Sequence, residues 1–70
     1  MEQIHFELKS EYIELMKLLK LLQISESGGQ AKLMVENGEV VLNGNLETRK
    51  RAKIRKNDVL EIFDFEIKIE

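Results

Sequence analysis

SGGQAKLMVENGEVVLNGN, Ser27 to Asn45, decides the fold, because a helix start, a helix stop and a hairpin turn follow one another in it with almost no slack. Ser27 with Gln30 three residues later matches a capping box, so a helix is predicted to begin at Gly28. Ala31, Met34 and Val35 line one side of that helix, and Gly38 after Asn37 supplies the left-handed residue that ends it. Val40 and Leu42 alternate with Glu39 and Val41 as a strand, and Asn43-Gly44 is a hairpin turn that calls for positive φ at both residues. Leu46 begins the return strand.

Working outward from this scaffold, the next stretch is TRKRAKIRK, Thr48 to Lys56, in which six of nine residues are basic and none is acidic. The 70-residue chain carries a net charge of −2, yet residues 1 to 47 sum to −4, residues 48 to 56 to +6 and residues 57 to 70 to −4. Such segregation implies one electropositive face on an acidic body, with a solvated basic loop as the plain alternative. Arg49, Arg51, Lys53 and Arg55 alternate, so an extended backbone would put them on one face about 7 Å apart, a spacing that can track a phosphate backbone. Lys50 and Lys56 would project elsewhere. Asn57-Asp58 marks a turn, Leu60 and Ile62 a strand, Asp64 a further turn, and Phe65, Ile67 and Ile69 a last amphipathic strand.

On the other side of the scaffold, Ile4, Phe6 and Leu8 alternate with His5, Glu7 and Lys9, so Gln3 to Lys9 is predicted to be a strand. Ser10 is placed as the cap of a helix with Glu11 and Glu14 at its positive end and Lys17 and Lys20 towards its negative end. Tyr12, Ile13, Leu15, Met16, Leu18, Leu19, Leu21 and Leu22 give that helix a wide apolar face. Gln23 to Glu26 connects it to Ser27. The two terminal strands are expected in one small sheet, since each has a single apolar face and both must cover the leucine-rich helix. The predicted class is α+β, two short helices on a mixed or antiparallel sheet of four to five strands, in one domain over residues 1–70 with a core motif at 12–62 and terminal strands at 3–9 and 65–69.

Composition narrows the function classes. A chain of this size with 43% hydrophobic and 34% charged residues can bury one small core. It has no cysteine, which excludes disulfides and thiolate sites and fits a cytoplasmic location. No apolar run is long enough for a membrane span, and no signal segment is read. His5 is the only histidine and has no partner for a metal site or a nucleophile's base; its expected place is the outer face of the first strand. Glu11 with Glu14, and Asp58 with Glu61, are explained by capping and turn roles. No catalytic residue, metal, cofactor or small-molecule substrate is predicted.

Ser27, Ala31, Met34, Val35, Gly38, Val40, Leu42, Asn43, Gly44, Asn57-Asp58, Leu60 and Ile62 fall at a spacing that resembles the S-four RNA-binding domain, named after a protein of the small ribosomal subunit. The resemblance covers Tyr12 to Ile62. The leucine-rich helix with SESGGQAK and ETRKRAKI looks most like the small stand-alone bacterial members of that superfamily, which implies a ribosome- or translation-associated RNA-binding protein. Many members have arginine directly after the capping serine, where Gly28 stands here, and the arginine-leucine-aspartate signature of the first helix is missing.

The expected partner is structured RNA, ribosomal or transfer RNA among the candidates, with a ribosome or ribonucleoprotein as its setting. Expected contacts are Ser27, Gly28, Gly29, Gln30 and Lys32 at the second helix start and Arg49, Lys50, Arg51, Lys53 and Arg55 in the basic stretch, facing one groove. Gly28 and Gly29 leave backbone N–H groups open where the helix dipole is positive, although glycines there are equally explained by a tight connection. Tyr12, Phe6, Phe63 and Phe65 are assigned to the core, so phosphate and shape readout of folded or double-helical RNA is expected in preference to base stacking. The alternative is a small β-grasp-like protein-interaction adaptor binding through its acidic faces; a sulfur-carrier form would end in Gly-Gly, whereas Lys68-Ile69-Glu70 stands here.

Overall fold

The structure, a computed structural model, describes residues 1–70 as β1 (Glu2–Phe6), β2 (Ile13–Glu14), α1 (Leu15–Leu21), α2 (Gly28–Glu36), β3 (Val40–Leu42), β4 (Asn45–Leu46), β5 (Lys53–Ile54), β6 (Val59–Ile62) and β7 (Phe65–Ile69). Five strands form one sheet in the order β1-β7-β6-β3-β4, and β2 and β5 form a separate two-stranded ribbon. The terminal strands share this sheet as expected; they are neighbours in it and run parallel, with Ile4 beside Ile67 and Phe6 beside Ile69. All other pairings are antiparallel. The class read from the sequence, two short helices on a small mixed sheet, therefore holds.

Alternation along the strands decides what is buried. Val40, Leu60, Ile62, Ile67 and Ile69 point to one face of the sheet and close over Leu15, Leu18 and Leu19 of α1 and Ala31 and Val35 of α2, all almost fully buried. Leu8, Ala52 and Ile54 complete this core from outside the main sheet. The β3–β4 hairpin turns through Asn43 and Gly44 at φ 51° and 86°, the primed geometry that suits the twist of the flanking strands.

Both helices end in the same device. In α2, Glu39 N–H donates to Met34 O and Gly38 N–H to Val35 O around Gly38 at φ 79°, a Schellman motif. In α1, Ile24 N–H donates to Leu19 O and Gln23 N–H to Lys20 O, with Gln23 taking the left-handed position at φ 61°.

Two boundaries differ from expectation. β1 stops at Phe6 rather than Lys9, although Leu8 is still buried and its N–H donates to Glu70 O at 2.7 Å. The first helix starts at Leu15, not near Tyr12, and Ser10 does not cap it; the Ser10 hydroxyl donates to Tyr12 O at 2.9 Å. The reason is non-local: Ile13 and Glu14 are taken up as a strand against Ile54 and Lys53.

Candidate nucleic-acid interface

The basic stretch is pinned to the beginning of α1 through its backbone. Glu14, the residue before α1, makes no side-chain cap. Instead Leu15 N–H donates to Ala52 O at 2.9 Å and Met16 N–H to Lys50 O at 3.0 Å. Two of the helix's open N–H groups are thereby satisfied by carbonyls of a segment that lies more than thirty residues on in the chain. Buried Ala52 and Ile54 anchor the same segment in the core, so the cations between and around them are held on an ordered backbone.

The arrangement of those cations is not the extended ladder that their alternation predicts. Ala52 N–H donates to Arg49 O at 3.1 Å, closing a turn at Lys50-Arg51, and only Lys53-Ile54 is strand. Arg49 and Arg51 belong to the turn and line one cleft with Ala52 and Lys53.

Arg49 is the one cation of the six that is ion-paired. Its Nε and Nη2 donate to the two carboxylate oxygens of Glu47 at 3.0 and 3.1 Å, and its backbone N–H donates to Glu47 Oε2 at 3.1 Å. Glu47 is 8% exposed, whereas the Arg49 side chain is 78% exposed. The guanidinium hydrogen bond holds the Glu47 carboxyl below the usual glutamate range against the opposing effect of burial, and the same pairing raises Arg49. Lys50, Arg51, Lys53, Arg55 and Lys56 have no carboxylate within 4.0 Å.

At the other half of the candidate site, Gln30 N–H donates to the Ser27 hydroxyl at 3.1 Å, as a capping serine should. The Gln30 side chain reaches back to the N–H of Glu26, one residue before the position of the standard capping box. Neither Gly28 nor Gly29 has positive φ, a Cβ on Gly28 would meet only Met16 Cε at an ordinary 3.6 Å, and one on Gly29 only Ser27 Oγ at 3.9 Å. Strain and close packing therefore do not account for this pair of glycines. Met16 joins the two halves: its methyl lies against Gly28, and its N–H is bound to Lys50. Lys32 is exposed on α2.

Two assignments made from sequence are overturned. Phe63 lies outside the core, 53% exposed at φ 53° in the β6–β7 turn, and Tyr12 is 39% exposed with Lys53 Nζ 4.9 Å and Arg55 Cζ 5.7 Å from its ring centroid. Tyr12 thus belongs to the basic surface. Its helical periodicity concealed this, because the residue sits just outside the ribbon and not in α1. Sequence reasoning also missed Glu47 and Asn43. The Asn43 side chain accepts from Val59 N–H at 2.8 Å and donates to Asp58 Oδ1 at 3.0 Å, and Asp58 Oδ2 accepts from Arg55 N–H at 2.7 Å, so the hairpin turn sets where Arg55 leaves β5. The acid-basic pair Glu47-x-Arg49 was the available signal for the first; nothing local announces the second.

Known proteins share this fold. The chain is 52% identical over 46 residues to YbcJ of Escherichia coli, the aligned segment spanning 66% of this chain and 66%, just under two thirds, of the relative's own length. It is 38% identical over 56 residues to RlbA of Bacillus subtilis, named a probable ribosome maturation protein, covering 80% of this chain and 79% of that one. The solution structure of E. coli YbcJ, reported to reveal an alfa-L motif involved in RNA-binding, superposes with a TM-score of 0.71 at 39% identity over 93% of this chain and 84% of that one. The family model of the S4 domain matches residues 6–70, and the chain belongs to that family.

Proposed function

We propose that the chain is a non-enzymatic cytoplasmic protein that docks folded RNA between the α2 start and the 49–55 segment. One observation carries this reading: cations with no carboxylate partner are held on a backbone hydrogen-bonded to α1, in a chain whose remaining residues are net acidic. A solvated basic loop would need neither the carbonyl contacts to Leu15 and Met16 nor buried Ala52 and Ile54. Exposed lysines and arginines on a fixed frame match phosphates at a set spacing, and the open first turn of α2 adds N–H groups and a favourable dipole across Met16. The RNA-binding motif reported for YbcJ and the ribosome maturation name of RlbA support RNA as the ligand class and make ribosomal RNA the first candidate.

Gly28→Glu tests the shared groove. A carboxylate there would occupy the place of a phosphate, yet complement the helix dipole and replace a poor helix former. Affinity for ribosomal RNA purified from bacterial ribosomes should fall while resistance to denaturant stays level or rises. Unchanged affinity in the folded variant would remove the α2 start from the site.

A further inference from the structure

Tyr12 is the sole aromatic residue of the basic surface, and its placement is set by the ribbon. Ile13 pairs with Ile54 and Glu14 with Lys53, so Tyr12 comes into register opposite Arg55. Ile54 is buried, which leaves Lys53 and Arg55 on the outward side, within 4.9 and 5.7 Å of the Tyr12 ring centroid. On its α1 side the ring borders a cleft of about 300 Å³ lined by Tyr12, Ile13, Glu14 and Lys17, and neither of the two cations lines it.

The two sides of the ring offer different chemistry. Towards β5 there are two positive charges suited to phosphates. Towards α1 the cleft adds the half-buried Ile13 and a Glu14 carboxylate 4.0 Å from Lys17 Nζ. The Glu14 and Lys17 charges offset each other, so the cleft holds no net charge to draw a phosphate in, whereas the flat neutral face of a nucleobase needs none. Cations held against the ring fix its orientation and reduce the ordering left to be done on binding.

We infer that Tyr12 is a stacking platform for an unpaired nucleobase, with Lys53 and Arg55 taking the phosphates beside it. The inference rests on the RNA-binding reading and narrows it: the ligand is not a continuous duplex but presents at least one unstacked nucleotide. An aromatic platform of this kind is worth roughly 1–3 kcal/mol per base by truncation, or about 5- to 140-fold in affinity.

The chain contains one tyrosine and no tryptophan, so emission excited near the tyrosine maximum reports on Tyr12 alone. The probes are a 12-nucleotide oligocytidylate and a 12-base-pair mixed-sequence RNA duplex. Oligocytidylate should quench Tyr12 emission as it binds and the duplex should not. Tyr12→Leu, checked for folding by thermal unfolding, should lose about 5- to 140-fold for oligocytidylate and less than twofold for the duplex, and Tyr12→Phe should restore most of the loss. Binding of the duplex without oligocytidylate quenching, or an equal loss for both probes, overturns the platform and leaves the RNA reading standing. Failure of both probes to bind overturns the two together.

Discussion

Glu47 places a nearly buried carboxylate just ahead of the basic stretch, and its geometry says why it is there. Three hydrogen bonds from Arg49 converge on its two oxygens, so the arginine is oriented and the pair is locally neutral. Because pairing depresses the folded-state pKa of Glu47, the contribution to stability is complete above the ordinary glutamate range and is lost as pH falls through the lowered value. Glu47→Gln should therefore cost about 0.5–1.5 kcal/mol at neutral pH, the exposure of Arg49 keeping the loss modest, and should flatten the decline in stability over the acid range. Denaturant melts across that range decide it; a variant with the parent's acid profile would mean that Glu47 does not sense Arg49. At this scale the sequence was legible wherever the chemistry is local. Asn43-Gly44 announced its own positive φ, and Ser27 its cap, whereas the reach of Asn43 to Asp58 and Val59 depends on two turns meeting in space.

Among the elements, α2 and the β3–β4 hairpin follow from their own residues, and α1 does not. Tyr12, Ile13 and Leu15 fit a helical stripe, but pairing of Ile13 with Ile54 and the carbonyls of Lys50 and Ala52 set the start of the helix at Leu15. The same event turned the expected ladder of four cations into a turn followed by a short strand, and moved Tyr12 from the core to the surface. Each depends on pairing across more than thirty residues of chain, which periodicity cannot carry. The end of α1 holds a correctable strain: Gln23 occupies the left-handed position that glycine fills in α2. Gln23→Gly should stabilise the protein by about 0.5–1 kcal/mol, the relief of the left-handed side chain exceeding glycine's added unfolded-state entropy. Equilibrium unfolding in urea checks this, and a less stable variant would show that the glutamine side chain contributes something the backbone argument leaves out.

For the whole molecule, a net charge of −2 conceals a dipolar body: the sheet and both termini are acidic, and the positive charge is gathered where the ribbon, α1 and the α2 start meet. The fold makes this possible by giving the basic segment two buried anchors, Ala52 and Ile54, and two backbone bonds to α1, so that strong like-charge repulsion is borne by a fixed frame. The sequence disclosed that charge would be concentrated; only the three-dimensional arrangement discloses that Arg49 is already paired and that Lys50, Arg51, Lys53, Arg55 and Lys56 have no carboxylate partner. The most direct measurement is the salt dependence of binding to purified ribosomal RNA, parent against a variant with Arg51, Lys53 and Arg55 all changed to alanine. If these side chains neutralise phosphates, the log–log slope should become shallower by about 2 to 3 in total, roughly 0.7–0.9 for each phosphate left without its cation. A folded variant that binds with the parent's slope would contradict the assignment of this surface to RNA.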